Sequence, residues 1–423
     1  MRSYQNYKST GVQWLGSVPT HWKKIRFKDI LKVKDSRVGK RKDLTLLSLT
    51  KKGVIVRDLS DGKGKFPKDY EAYKIVHPND FILCLFDVDE TPRTVGIAKH
   101  EGMITGAYDV FDIVGANREY IYYLYLSFDD AKSLKPLYKG LRKTIPLPSL
   151  RSSYLFLPTI DEQVAITDYI KSEVNKIDHL ISETEKEISL LNELKQAEIA
   201  RMVTSGLNPN VQMKNSGITW IGDIPAHWEV RRIKWLFKEN DTRNVNLSYQ
   251  LLSFSRSKGI IPYSDINDKA PSASDLSKYK IIRPGQLLEN RMQAWSGMFG
   301  SSKIEGCVSP DYAVFDRTNE NVNVDYYGYL FRTPLYVQQF ANASKGVGDG
   351  FNRLYTPAFG AIYAIFPPSD EQTAIVSAIE AAKVKIDAMT SQLTRQITYL
   401  QELKQRIISD AVTGKIDVRD YNN

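Results

Sequence analysis

The sequence predicts an α+β protein built twice. Two basic, mixed α/β domains are each followed by one long amphipathic helix, and the two helices pair as a coiled coil in a tandem repeat. Three observations predict this. A tryptophan-rich frame recurs at an offset of 206 residues. Short apolar segments punctuated by Gly and Pro follow each frame, as strands do. An apolar period near 3.5 residues closes each copy, as a coiled-coil seam requires.

The frame reads GVQWLGSVPTHW at residues 11–22 and GITWIGDIPAHW at 217–228. Further matches stay in order along the chain. Lys52-Gly53 answers Lys258-Gly259, and Tyr73-Lys74-Ile75 answers Tyr279-Lys280-Ile281. Asp161-Glu162-Gln163 answers Asp370-Glu371-Gln372, and Glu193-Leu194-Lys195-Gln196 answers Glu402-Leu403-Lys404-Gln405. The offset drifts between 204 and 209, as small loop insertions would make it. Such self-similarity marks a tandem duplication. It divides the chain into a first domain (1–158), a first helix (159–206), a linker (207–216), a second domain (217–367), a second helix (368–414) and a tail (415–423).

Within each copy the frame is expected to be a structural clasp. Its glycines take turn conformations, and Trp14, Trp22, Trp220 and Trp228 pack rather than stack on bases. Phe81 to Phe86 and Tyr108 to Ile113 read as strands. Glu119 to Leu126 and Asp325 to Phe331 read as a short aromatic helix in each copy. Thr159-x-x-Glu162 and Ser369-x-x-Gln372 have the form of capping boxes that open the long helices. Ile170, Val174, Ile177, Ile181, Ile188 and Leu191 mark the first seam, and Ile379, Ile386, Leu393, Ile397 and Leu400 the second. Thr184 and Thr390 fill seam positions that are aliphatic in the other copy. Gly206 and Gly414 end the helices. A helix of about 44 residues rises ~66 Å and needs a partner for its apolar stripe.

Charge locates the candidate function. The net charge of +9 is uneven: residues 1–158 hold 28 Lys/Arg against 17 Asp/Glu, and 207–367 hold 18 against 14. The helical segments hold 5 against 10 and 7 against 8. Positive domains joined by acidic helices suggest a polyanion gripped by the domains. No apolar run is long enough for a membrane span or signal peptide, and the two cysteines, Cys84 and Cys307, have no metal or disulfide spacing. A cytoplasmic protein without membrane contact is expected.

Catalytic constellations are missing. There is no GxGxxG before a helix, no GxxxxGK[ST] and no HExxH. Gly62-Lys63-Gly64-Lys65 lacks phosphate-loop spacing. His21 and His227 recur in the frame beside tryptophan, without carboxylate or cysteine neighbours in the sequence, and are expected to be structural. No Asn-Pro-Pro-Tyr motif for a flipped base occurs. No catalytic residue and no metal ligand is assigned.

The paired WxGxxPxHW frames, the two DEQ helix starts, the ELKQ segments and the tandem layout resemble the specificity subunit of type I restriction-modification enzymes (HsdS). The resemblance covers nearly the whole chain. It implies that each basic domain is a target-recognition domain for half of a bipartite, asymmetric site on double-stranded DNA. It also implies that the two long helices form an antiparallel coiled coil with pseudo-two-fold symmetry, and that two methyltransferase subunits and restriction subunits are partners. S-adenosylmethionine, ATP and magnesium would belong to those partners, and this chain would hold no cofactor. The stretches Leu251 to Ile261 and Asn290 to Gly297 also resemble such domains. The first copy departs there, with Phe86-Asp87-Val88-Asp89-Glu90, so the two domains are expected to read different sequences.

The candidate DNA-contacting residues are basic or amide side chains in expected loops. They are Lys51, Lys52, Arg57, Lys63, Lys65, Arg93, Arg142 and Lys143 in the first copy. In the second they are Arg256, Lys258, Arg291, Gln293, Lys345, Asn352 and Arg353. Lys52 and Lys258 recur, which suits a shared phosphate contact; Arg291 is the candidate base reader. The competing readings are a coiled-coil scaffold or adaptor whose basic domains bind protein, and a stand-alone restriction-methylation enzyme. The missing catalytic motifs count against the enzyme. A salt series on random duplex DNA separates DNA binding from the scaffold.

Overall fold

The computed structural model describes residues 3–40, 43–57, 70–266, 275–346, 352–419 and 421. Two compact units emerge. One holds residues 1–185 and 394–423, the other residues 186–393.

In the first unit the central sheet has four antiparallel strands in the order Leu31–Lys34, Asp109–Ile113, Phe81–Leu83 and Val95–Ile97. Phe81, Ile82, Leu83, Val110 and Phe111 are all buried, which explains a continuous apolar run in place of alternation. The helix Arg118–Asp130, capped by the Asn117 side chain, packs Tyr120, Leu124 and Phe128 into the main core. A hairpin of Leu47–Thr50 and Gly53–Val56 lies against the sheet margin, its Leu49 and Val54 occupying the space beside Gly96. Lys23–Arg26 pairs with Tyr154–Leu157, the strand that leads into the first long helix. That pairing carries the tryptophan frame to the start of the helix.

The second unit repeats the plan. Its sheet runs Phe237–Asn240, Tyr312–Arg317, Leu287–Asn290 and Phe299–Ser301. The short aromatic helix is Val324–Leu330, followed by a further helix, Pro334–Ala343. Glu229–Arg232 pairs with Tyr363–Phe366 ahead of the second long helix. Leu252–Ser255 and Gly259–Pro262 form the corresponding hairpin.

The long helices are Ile160–Ser205 and Ser369–Val412. Each unit takes part of both. In the first unit Ile166, Tyr169, Ile170 and Val174 share a core with Ile408, Ala411 and Val412, and Lys404 Nζ meets Asp178 at 2.7 Å. In the second, Met202 and Val203 share a core with Ile375 and Ile379, and Lys195 Nζ meets Asp387 at 2.7 Å. In both, rising numbers on one helix face falling numbers on the other, so the segments run antiparallel. The seam residues Ile170, Val174, Ile177, Ile379 and Ile386 are buried, as is Thr184, whose hydroxyl donates to the Leu180 carbonyl.

Two segments differ from a plain linker and tail. Met213–Asn215 is a strand paired with Asp223–Pro225, and it holds the second tryptophan turn. After the second helix, Val418 joins the first unit's core and the Tyr421 ring lies 4.7 Å from Tyr169. Among the described residues, no helix is long and apolar enough to cross a membrane and no group of three metal-binding side chains occurs.

Candidate nucleic-acid interface

The clasp ties each tryptophan frame to the start of a long helix. Trp22 is buried, and its indole N–H donates to Glu162 at 3.2 Å. His21 Nε2 meets the other Glu162 oxygen at 2.8 Å, and the Tyr4 hydroxyl donates to Glu162 at 2.7 Å. The second copy repeats this with Trp228 at 2.9 Å and His227 at 2.7 Å from Glu371. The expectation that these histidines lack carboxylate neighbours is therefore corrected: the carboxylates arrive from the helix starts, 141 and 144 residues away. The capping boxes are corrected too. Thr159 accepts from the Glu162 backbone N–H at 3.4 Å, the first half of the box, but the Glu162 carboxylate accepts from the clasp in place of closing the second half. Gln372 binds the backbone of Asn323, Asn321 and Pro367. Gln163 likewise accepts from the Asn117 backbone and orients the aromatic helix. The long-helix ends close the clasp. A Cβ at Gly414 (φ 72°) would lie 3.0 Å from the Trp22 ring, and one at Gly206 (φ 79°) would lie 3.2 Å from Trp228. Only glycine fits that approach with that φ.

Away from the clasp, each unit carries its candidate residues on turns. Lys51 and Lys52 form the exposed tip of the first hairpin, and Arg256, Ser257 and Lys258 the tip of the second. Gly53 (φ 95°) and Gly259 (φ 76°) make those turns possible. Arg57 ends the first hairpin half-buried, its backbone N–H on the Leu46 carbonyl. In the second unit the tip is tied to the Asn290–Gly297 loop. Arg256 Nη2 donates to the Ser296 carbonyl at 2.7 Å and hydroxyl at 2.9 Å, while Arg332 donates to the Arg256 carbonyl. That loop exposes Met292, Gln293 and Trp295, the indole N–H of Trp295 donating to the Met292 carbonyl.

Where the copies diverge, the structure shows a charged network that the sequence reading missed. Strand register aligns Val33, Leu83 and Leu85 of the first copy with Glu239, Glu289 and Arg291 of the second. The short helices Leu147–Ser152 and Thr356–Ala361 align Leu147 with Thr356. Arg291 Nη2 donates to Glu239 at 2.7 Å and to the Thr356 hydroxyl at 3.0 Å, and Thr356 also donates to Glu239. Buried Lys280 reaches Glu239 at 3.0 Å. Burial works against the Glu239 charge, but Thr356, Lys280 and Arg291 hold its carboxyl below the usual range. Glu289 is fully buried with no hydrogen-bond partner among the described residues. Burial, and then the Glu239 charge, push it up to about 8 against the pull of Arg291 and Lys280. The available signal was the aligned exchange of aliphatic for polar residues between the copies.

The remaining candidates divide into inward and outward groups. Arg93 is committed inward, 3.1 Å from Asp129 and 2.8 Å from Asp130, with 15% of its side chain exposed. Arg291 is 21% exposed and committed to Glu239. Arg142 is outward at 79%, and Lys143 meets Asp89 at 2.6 Å. Lys345 and Arg353 pair through their backbones; Lys345 and Asn352 are exposed, and Arg353 lies 3.3 Å from Asp311. Lys63 and Lys65 lie outside the described residues.

No family model matches the chain. Among curated proteins, it is 22% identical to the type I restriction enzyme MjaX specificity subunit of Methanocaldococcus jannaschii. That match covers 98% of this chain and 97% of the relative. It is 21% identical to the MjaVIII specificity subunit of the same organism, over 63% of each chain. Among solved structures, a chain of a type I R-M system superimposes with a TM-score of 0.64 at 14% identity. It spans 94% of this chain and 99% of its own. The HsdS subunit of Thermoanaerobacter tengcongensis gives 0.51 at 14% identity, over 94% and 98%. The structural likeness shows the fold. The curated match runs end to end, so the chain is similar over its whole length to type I restriction enzyme specificity subunits.

Proposed function

We propose that the chain reads an asymmetric, two-part site on double-stranded DNA, one half with each basic domain. It directs methyltransferase and restriction partners to that site and catalyses neither reaction. The observation that carries this reading is the contrast inside the repeat: the same clasp and sheet in both copies, with different residues on the tips and loops. Two scaffolds held alike and surfaced differently suit two different half-sites. The gap between half-sites follows from reading by two separate domains.

Lys52 and Lys258, exposed at equivalent hairpin tips, suit phosphate contacts that hold the domain without reading sequence. Arg256 and Arg332 lie together, so a phosphate there would relieve like-charge repulsion. Gln293 is an amide on an exposed loop and suits an adenine edge in the major groove. The cofactors of the wider reaction, S-adenosylmethionine, ATP and magnesium, would reside in the partners.

The test is methylation mapping in cells carrying this chain with its methyltransferase partner, repeated after replacing the Asn290–Gly297 loop. The expected result is a bipartite methylated motif in which only one half changes. The absence of any methylated motif, or a motif indifferent to the loop, would overturn the reading.

A further inference from the structure

We propose that Leu141 is an apolar wedge, presented by the Lys139–Thr144 hairpin to the base stack of bound DNA. The inference rests on the DNA reading above and adds a mode of engagement to it. Leu141 is 102% exposed, whereas Leu134 and Ile145, before and after its hairpin, are buried at 3% and 1%, and Leu137 between them is half-buried against the core. A single exposed leucine is ordinary on a protein surface. This one stands at the tip of a braced structure.

The hairpin closes through reciprocal backbone hydrogen bonds, Lys139 N–H to Thr144 O at 2.8 Å and Thr144 N–H to Lys139 O at 3.0 Å. Between them Gly140 (φ 69°) and Lys143 (φ 42°) are both left-handed, a conformation uncommon for a lysine. The surrounding contacts hold it. Asp87 N–H donates to the Arg142 carbonyl at 2.8 Å, Lys143 Nζ meets Asp89 at 2.6 Å, and Lys135 stands 3.5 Å from the same carboxylate. Ile145 N–H reaches the Leu85 carbonyl at 2.7 Å.

The hairpin is thus fastened to the 86–90 segment, where the two copies diverge. These contacts also occupy Asp89, an acid that would otherwise oppose a phosphate. Lys139 and Arg142 flank the leucine and are exposed. An apolar side chain at a stiff tip between cations is the arrangement by which proteins unstack a base step: the cations hold the backbone and the wedge enters the stack. The second copy begins the corresponding sequence alike, with Lys345-Gly346-Val347.

The experiment uses the full chain assembled with its methyltransferase partner. The probe is a duplex carrying the mapped site, with 2-aminopurine moved through the half-site read by the first domain. Wild type should raise the fluorescence at one step. Leu141→Ala should abolish that rise and weaken binding about tenfold, as loss of a buried leucine contact predicts. A mismatch at that step should restore much of the affinity, because the base is already loosely stacked. Leu141→Met should keep the signal. A fluorescence rise that survives Leu141→Ala overturns the wedge. So does a loss confined to methyltransferase association, which would make the tip a protein contact. Wild type that does not prefer the mapped site over a scrambled one overturns the DNA reading itself, a failure visible before any variant is made.

Discussion

In the first copy Glu162 receives Trp22, His21 and Tyr4; in the second, among the described residues, Glu371 receives Trp228 and His227. The clasp is common to both copies and differs mainly in burial, with Glu162 at 5% exposure and Glu371 at 27%. At the sheet margin the relation changes in kind. Leu83 and Leu85 give way to Glu289 and Arg291, and an acidic, braced segment gives way to a loop exposing Gln293 and Trp295. A duplicated domain keeps the contacts that anchor it to its helices and varies those that face outward. Variation at the margin nevertheless reaches inward, because a charge set beside a core must be partnered there.

The largest expected effect breaks this comparison at Glu289. Its folded carboxyl titrates near 8, far above an ordinary glutamate, so the folded state holds a proton that the unfolded state has released. Stability tied to that proton is complete below about pH 4.5 and is lost as pH rises toward 8, by about 5 kcal/mol across the window. Glu289→Gln should remove that slope from the second unit's unfolding transition. A pH series of denaturant melts checks it, and an unchanged slope in the variant would mean the carboxyl is ionised in the fold.

The clasp comes next. Glu162→Ala leaves three donors facing a buried gap and should lower first-unit stability by about 3 kcal/mol. Glu371→Ala, wetter and with two donors, should cost the second unit about 1 kcal/mol. Calorimetry of the two variants should show that asymmetry. Equal losses would mean that burial does not govern the clasp.

These contrasts also show what was legible beforehand. The tandem frame, the long helices and the seam could be read because each is a local or periodic pattern, and Trp22, Trp228 and Ile170 are buried as that pattern requires. The Glu162 contact could not, because its partners lie far away in sequence and a helix start offers the same residue a plausible local role. The candidate interface was legible as a set of loops and no further. Lys52 and Lys258 are exposed on equivalent turns, whereas Arg93 and Arg291 turn inward to carboxylates that only the folded sheet brings near. Composition marks a residue as cationic; tertiary pairing decides whether that charge is available.

Arg291 and Gln293 sharpen the comparison within one loop. Arg291→Ala should lower the second unit's melting temperature, because Glu239 loses a partner. Gln293→Ala should leave melting unchanged and relax one position of one half-site, by about 1–3 kcal/mol of discrimination. Thermal melts and methylation mapping of both variants decide the assignment. A relaxed site in Arg291→Ala with unaltered melting would return base reading to the arginine.

The smallest effect tests what the copies share. Lys52 and Lys258 stand at the same hairpin position in domains that otherwise present different surfaces. If both neutralise phosphates, each displaces counterions whatever the base sequence, and the two substitutions act alike despite the divergent loops around them. Lys52→Ala and Lys258→Ala should each weaken binding to specific and random duplexes by the same factor. Each should also reduce the slope of log affinity against log salt by about 0.9. The pair is diagnostic because a base contact would behave differently: it would alter the specific duplex alone and leave the salt slope nearly unchanged. A lysine that changes the preferred sequence would belong with Gln293 among the readers, and conservation of the hairpin between copies would then reflect shared geometry without shared use.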